Sequence, residues 1–145
     1  MKQIGVGILG FGTVGAGVAE GLLKHRTVLA ERLDVDIVLK KIADLDITTD
    51  RGVDVPKDAL TTDAFAVISD PGVQIVVETI GGTGIARTLV LKALESKKCV
   101  VTANKKLLAE YGREIFDTAA ANNVDIYFGA SVGGGIPIIR VLREG

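Results

Sequence analysis

The sequence predicts an α/β domain of the doubly wound kind, with a mainly parallel sheet and helices on both faces. Short apolar runs rich in β-branched residues alternate with stretches whose apolar residues recur every three or four positions, the signature of strands and helices taken in turn. Glycine makes up 18 of the 145 residues and is gathered into three clusters, each placed after an apolar run. At this length and 48% hydrophobic content, one core can be filled and there is no room for a second domain of ordinary size.

Residues 3–9 read as a strand buried on both faces. Gly10-Phe11-Gly12-Thr13-Val14-Gly15 follows at once, and Val14, Val18 and Leu22, spaced by four, predict a helix to about Leu23. Residues 4–19 carry no charge, yet they are not an anchor or a signal peptide. Six glycines fall among them, each costing about 0.8–1.0 kcal/mol relative to alanine in a helix. The stretch is also shorter than the ~20 residues of a span. The expectation is a mature protein that starts here and works in the cytoplasm.

His25-Arg26 opens a break, residues 28–33 form a second helical piece, and Val35–Ala43 is the second strand. Residues 44–56 are polar and read as a loop. Residues 58–69 predict a short helix, closed by the turn signal Asp70-Pro71-Gly72. Residues 74–78 are a buried strand, and Gly81-Gly82-Thr83-Gly84 makes the second glycine turn. Residues 85–96 form a helix with Ala86, Leu89, Val90, Ala93 and Leu94 on one face. Cys99–Thr102 is a strand, residues 107–110 and 113–122 are helices, and residues 125–128 are the last strand. A third cluster, Gly133-Gly134-Gly135, precedes Pro137, which suits the first turn of a helix cut off at Gly145. Right-handed crossovers would place all three clusters along one crevice beyond the carboxyl ends of the strands, where such sheets take ligands.

Between a buried strand and a helix, Gly10-x-Gly12-x-x-Gly15 has the context of a Rossmann-type dinucleotide site. Gly10 makes the tight turn, Gly12 admits a pyrophosphate to the backbone, and Gly15 lets helix and strand pack closely. Amides at the helix start and the positive end of its dipole then face the phosphates. Asp44, ending the second strand, is placed to accept from ribose hydroxyls. It lies beyond the usual ~20 residues from the glycines because of the extra helical piece. A carboxylate there disfavours the 2′-phosphate of NADP, while Lys40, Lys41 and Arg51 are near enough in sequence to compensate. The reading leans to NAD and leaves NADP open.

Thr102-Ala103-Asn104-Lys105-Lys106 follows a strand, so a lysine there points into the same crevice, where a cation stabilises the oxygen charge that develops in hydride transfer. Two lysines at a helix start oppose the dipole, which hints at a function for one of them. Cys99 reads as a small buried hydrophobe and not a thiol nucleophile, and His25 as a helix-end residue. Glu78 and Asp125 form no obvious carboxylate pair. One cysteine and one histidine exclude an ordinary zinc site. Seventeen basic against 18 acidic residues, without a block of like charge, argue against nucleic acid and membrane surfaces as partners. No GxSxG serine setting and no NTPase phosphate loop is present.

Four stretches carry a resemblance: IGVGILGFGTVGAGV at 4–18, ETIGG at 78–82, VVTANKKLLA at 100–109 and ASVGGGIPIIR at 130–140. The sequence resembles the homoserine dehydrogenases. The resemblance implies nicotinamide-dependent interconversion of L-homoserine and L-aspartate 4-semialdehyde, on the way to threonine and methionine, by a homo-oligomeric enzyme. By position, Phe11, Thr13 and Val14 look like pyrophosphate-loop contacts and Thr79 and Gly81 like contacts near the nicotinamide ribose. Lys105 looks like the catalytic lysine at nicotinamide and substrate. The family's sodium site maps onto the carbonyls of Val132, Gly134 and Ile136, but Gly129 stands where members commonly carry the Glu ligand, so weak or absent sodium binding is expected. Residues 1–136 are expected to form the dinucleotide-binding domain and 137–145 to begin the substrate and dimerisation domain. Alone, this chain is expected to bind cofactor without turnover. The competing readings are a stand-alone dinucleotide sensor and the Rossmann domain of another amino-acid or aldehyde dehydrogenase.

Overall fold

The computed structural model describes residues 1–129. The chain runs β1 (Lys2–Leu9), α1 (Thr13–Lys24), α2 (Arg26–Leu33), β2 (Val35–Ala43), a 3-10 turn (Lys57–Ala59), β3 (Leu60–Thr61), α3 (Ala64–Ser69), β4 (Ile75–Glu78), α4 (Ile85–Glu95), β5 (Cys99–Thr102), α5 (Lys105–Ala121) and β6 (Ile126–Phe128). The strands form one sheet in the order β3-β2-β1-β4-β5-β6. Every pairing is parallel. The order reverses between β1 and β4, so the connections leaving these two strands depart in opposite directions and open a crevice above their carboxyl ends.

Alternation along the strands divides the core in two. Ile4, Val6 and Ile8 of β1, with Ile75 and Val77 of β4 and Val101 of β5, pack against Val18, Ala19 and Leu22 of α1. Leu9, Val76 and Val100 point the other way, onto Val67 and Ile68 of α3, Leu89 and Val90 of α4, and Leu107 and Ile115 of α5. Gly7 lies on this second face, where a Cβ would come within 2.4 Å of Cγ1 of Val67. Its missing side chain sets how closely α3 approaches β1.

The predicted doubly wound, Rossmann-type fold is therefore the observed one, with four departures in detail. The predicted helix over 58–69 is a 3-10 turn, the two-residue strand β3 and only then α3, started by the side chain of Asp63 accepting from the amide of Phe65. Two residues pairing with Ile42 and Ala43 leave too short a trace to show in periodicity, yet they complete the β3-β2-β1 half of the sheet. The helices predicted at 107–110 and 113–122 are one helix, kinked at Tyr111 (φ −130°, ψ 17°) just before Gly112. Cys99 is half-buried rather than buried, packed at the margin of the first core cluster. Val14, expected on the buried stripe of α1, is 50% exposed, because its turn of helix overhangs the crevice and not the sheet.

Candidate dinucleotide site

The turn after β1 is fixed by one backbone carbonyl and two side chains. Gly10 adopts φ +101°, in the left-handed region that glycine tolerates, and its N–H donates to the carbonyl of Ala43 at 2.7 Å. The amide of Phe11 donates to Oδ2 of Asp44 at 2.6 Å. From the residue after β4, the hydroxyl of Thr79 donates to the carbonyls of Leu9 and Gly10 at 2.8 and 3.0 Å. A Cβ on Gly15 would stand 2.0 Å from the carbonyl oxygen of Gly10, so only glycine lets α1 start this close to the turn. At Gly12 nothing lies within 4 Å of where a Cβ would be.

Gly12 is the N-cap of α1 and no side chain caps the helix. The first intrahelical bond is the amide of Ala16 to the carbonyl of Gly12. The amides of Thr13, Val14 and Gly15 therefore have no acceptor within the helix, and they end it beside the open space at Gly12. Such an end, with its positive dipole, suits an anion such as a diphosphate.

Two cavities flank this end. One, of about 370 Å³, lies between the ends of β1, β2 and β4 and is lined by Gly10, Gly12, Asp44, Leu45, Ile80 and Ile85 among others. The other, of about 170 Å³, lies toward β5 and is lined by Val14, Glu78, Thr79, Gly81, Ala103 and Asn104. Gly81, at φ +81°, donates its N–H to Oε2 of Glu78 at 2.8 Å. Asn104 caps α5 by accepting the amide of Leu107, and Lys105, the first residue of that helix, is exposed at the same end of the sheet.

Of the predicted residues, Gly10, Gly12, Asp44 and Thr79 line the first cavity and Val14, Thr79 and Gly81 the second, whereas Phe11, Thr13, Gly15 and Lys105 line neither. Several are occupied otherwise than expected. Asp44 lines the first cavity, yet its two oxygens accept the amides of Phe11 and Asp46. The N–H of Phe11 donates to Asp44 and its ring is buried in the core. The hydroxyl of Thr79 serves the glycine turn. Lys41 pairs with Asp70 at 3.6 Å and Arg51 with Asp46 at 3.3 Å, leaving both engaged. Two of the three glycine clusters line the crevice. The third, the carbonyls of Val132, Gly134 and Ile136 and the start of a helix at Pro137 lie outside the described residues. Within them, no group of three or more His, Cys, Asp or Glu could hold a metal ion, and no helix is long and apolar enough to cross a membrane.

Reasoning from the sequence missed the apolar walls Leu45, Ile80 and Ile85, which flank the motifs without belonging to them. It also missed Asn104. Asparagine three residues ahead of an apolar helical stripe is a common N-cap, and it would have moved the start of α5 back to Lys105.

Residues 10–129 match the family described as homoserine dehydrogenase, NAD binding domain. The chain belongs to the homoserine dehydrogenase family. It is 48% identical to the homoserine dehydrogenase of Bacillus subtilis over all 145 residues, which cover 34% of that protein. A homoserine dehydrogenase structure from Thiobacillus denitrificans aligns with all of this chain and 33% of its own, at 44% identity and TM-score 0.82. A hyperthermophilic archaeal homoserine dehydrogenase in complex with NADPH aligns over 99% of this chain and 49% of its own, at 25% identity and TM-score 0.68. The chain spans about a third of the length of the curated relatives it matches, the part that corresponds to their NAD-binding domain.

Proposed function

We propose that the chain holds a nicotinamide dinucleotide along the crevice, as the cofactor portion of an enzyme interconverting L-homoserine and L-aspartate 4-semialdehyde in the cytoplasm. The supporting observation is the uncapped start of α1, with three amides lacking helical partners beside the open face of Gly12. The diphosphate lies there, the adenosine in the cavity walled by Leu45, Ile80 and Ile85, and the nicotinamide end toward Gly81 and Asn104. The bound cofactor would supply or accept a hydride. Lys105, carried at the start of α5, would place its ammonium beside the substrate oxygen on which charge develops. The glycine turn, pinned by Asp44 and Thr79, is preorganised and needs no rearrangement to receive the phosphates.

NAD is favoured over NADP, because Lys41 and Arg51 are committed to Asp70 and Asp46 and Asp44 puts a negative charge at the mouth of the adenosine cavity. Gly129 brings no carboxylate, so sodium binding is weak, and a sodium-dependent thermal shift as large as that of Gly129→Glu would overturn this. The decisive experiment is a titration of this chain with NAD, NADP and their reduced forms. Binding of none of them would sink the reading. Detectable homoserine oxidation by this chain alone would overturn the division of labour, in which chemistry needs residues outside it.

A further inference from the structure

Glu78 and Thr102 are the buried polar side chains of the described core, at 2% and 0% exposure, and both sit at the carboxyl ends of central strands beneath the smaller cavity. Ionisable side chains are seldom buried unless they are paired. Oε2 of Glu78 accepts the amide of Gly81 at 2.8 Å, and Oε1 meets the hydroxyl of Thr102 at 2.5 Å. The oxygen of that hydroxyl already accepts the amide of Asn104 at 3.0 Å, so its hydrogen is directed to the carboxylate. Asn104 then closes a circuit, donating from Nδ2 to the carbonyl of Gly82 at 2.7 Å while Oδ1 caps α5. The loop after β4 and the loop after β5 are thereby joined through one carboxylate. Both of its oxygens face donors, and no Lys, Arg or His nitrogen of the described residues lies within 4.0 Å of it.

A carboxylate so placed is expensive to bury without a countercharge. The smaller cavity is where such a charge can arrive. The two oxidation states of a nicotinamide dinucleotide differ at the ring, which is cationic when oxidised and neutral when reduced. We propose, resting on the reading that this crevice holds such a dinucleotide, that Glu78 is the positioning residue of its nicotinamide end. Its hydrogen bonds set the Gly81–Gly82 turn and the start of α5 in register, and its charge biases the site toward the oxidised ring. The diphosphate and adenosine, held elsewhere along the crevice, do not sense it.

The test is calorimetric titration of this chain, Glu78→Gln and Thr102→Val with ADP-ribose, oxidised dinucleotide and reduced dinucleotide. In Glu78→Gln the oxidised-to-reduced affinity ratio is expected to fall about threefold or more, since a charge–charge attraction in a partly dry site is removed. ADP-ribose should stay within about twofold, because it lacks the ring that senses the charge. Thr102→Val, which keeps the charge and cuts the circuit, weakens both dinucleotides and leaves the ratio where it was. Equal loss of both forms in Glu78→Gln, the signature of a merely structural residue, overturns the proposal, as does an unchanged ratio. If the wild-type chain binds none of the three ligands, the reading of the crevice fails instead. Should Glu78→Gln not fold, hydrogen exchange in the wild-type chain decides. The amide of Gly81 is then protected more by oxidised dinucleotide than by reduced dinucleotide or ADP-ribose, and equal protection overturns the proposal.

Discussion

Asp44 holds the amide of Phe11 at 2.6 Å across 33 residues of sequence, and in doing so ties the end of β2 to the turn that follows β1. With its second oxygen on the amide of Asp46, the carboxylate also lines the larger of the two cavities. Removing it in Asp44→Ala leaves a part-buried amide without a partner. The expected cost is about 1–3 kcal/mol of stability in urea unfolding. NAD and NADP should both weaken as the turn loosens, NAD more than NADP, because the charge that disfavours a 2′-phosphate goes with the carboxylate. Unchanged stability with a loss confined to NAD would instead put the carboxylate on the ribose.

Gly12 and Gly15 should separate folding from binding. Gly15→Ala places a methyl 2.0 Å from the carbonyl of Gly10, and the start of α1 must move. A loss of about 1–3 kcal/mol is expected, as for other overpacked positions, together with loss of dinucleotide binding. Gly12→Ala meets open space at a φ of −79° that alanine adopts freely, so its stability should stay within about 1 kcal/mol of wild type. Its methyl nonetheless occupies the approach of the diphosphate. Wild-type affinity in Gly12→Ala would count against the phosphate position.

The contact of Gly7 with Val67 is open to a double-mutant cycle. Gly7→Ala forces a methyl against Cγ1 of Val67, with an expected cost of about 1–3 kcal/mol. Val67→Ala, which opens space at a fully buried site, is costly alone but makes room for that methyl. The double variant is expected to be more stable than the sum of the two by at least about 1 kcal/mol. Strict additivity would mean that α3 shifts as a body and the contact does not set its distance from β1.

Asp46 gives the loop after β2 a dependence on pH. Its carboxyl accepts from the hydroxyl and amide of Thr49 and the amide of Thr48, which hold it well below the usual carboxylate range. The folded form therefore prefers the ionised group more than the unfolded chain does. The stabilisation is present above the ordinary aspartate value of about 3.9 and is lost as pH falls toward the folded value. The melting temperature of wild type should exceed that of Asp46→Asn at neutral pH, with the gap closing below about pH 4. A gap that persists undiminished into strong acid would show that the charge is not what the loop uses.

Much of this was legible in the chain itself, because local rules and global fold agree over most of it. The apolar runs 3–9 and 74–78 and Cys99–Thr102 became the central strands, since strands buried on both faces must be continuously apolar. The stripe Ala86, Leu89, Val90, Ala93 and Leu94 became the buried face of α4 because helical spacing leaves no other arrangement. Where the reading fell short, the deciding partner was remote. β3 exists only because two residues find Ile42 and Ala43, and Val14 is exposed only because the sheet ends beneath it.

The glycine turns, the order of the central strands and of the helices between them, and the acidic residue just after β2 followed from sequence, since turn geometry and periodicity are properties of neighbouring residues. What each polar group does was settled by residues far away in the chain. The carboxylate of Asp44 turned to Phe11, the hydroxyl of Thr79 to Leu9 and Gly10, and Glu78 to Thr102, because a buried amide or hydroxyl must be satisfied by whatever the fold brings within 3 Å. No spacing rule encodes that choice; it depends on which strand lies beside which.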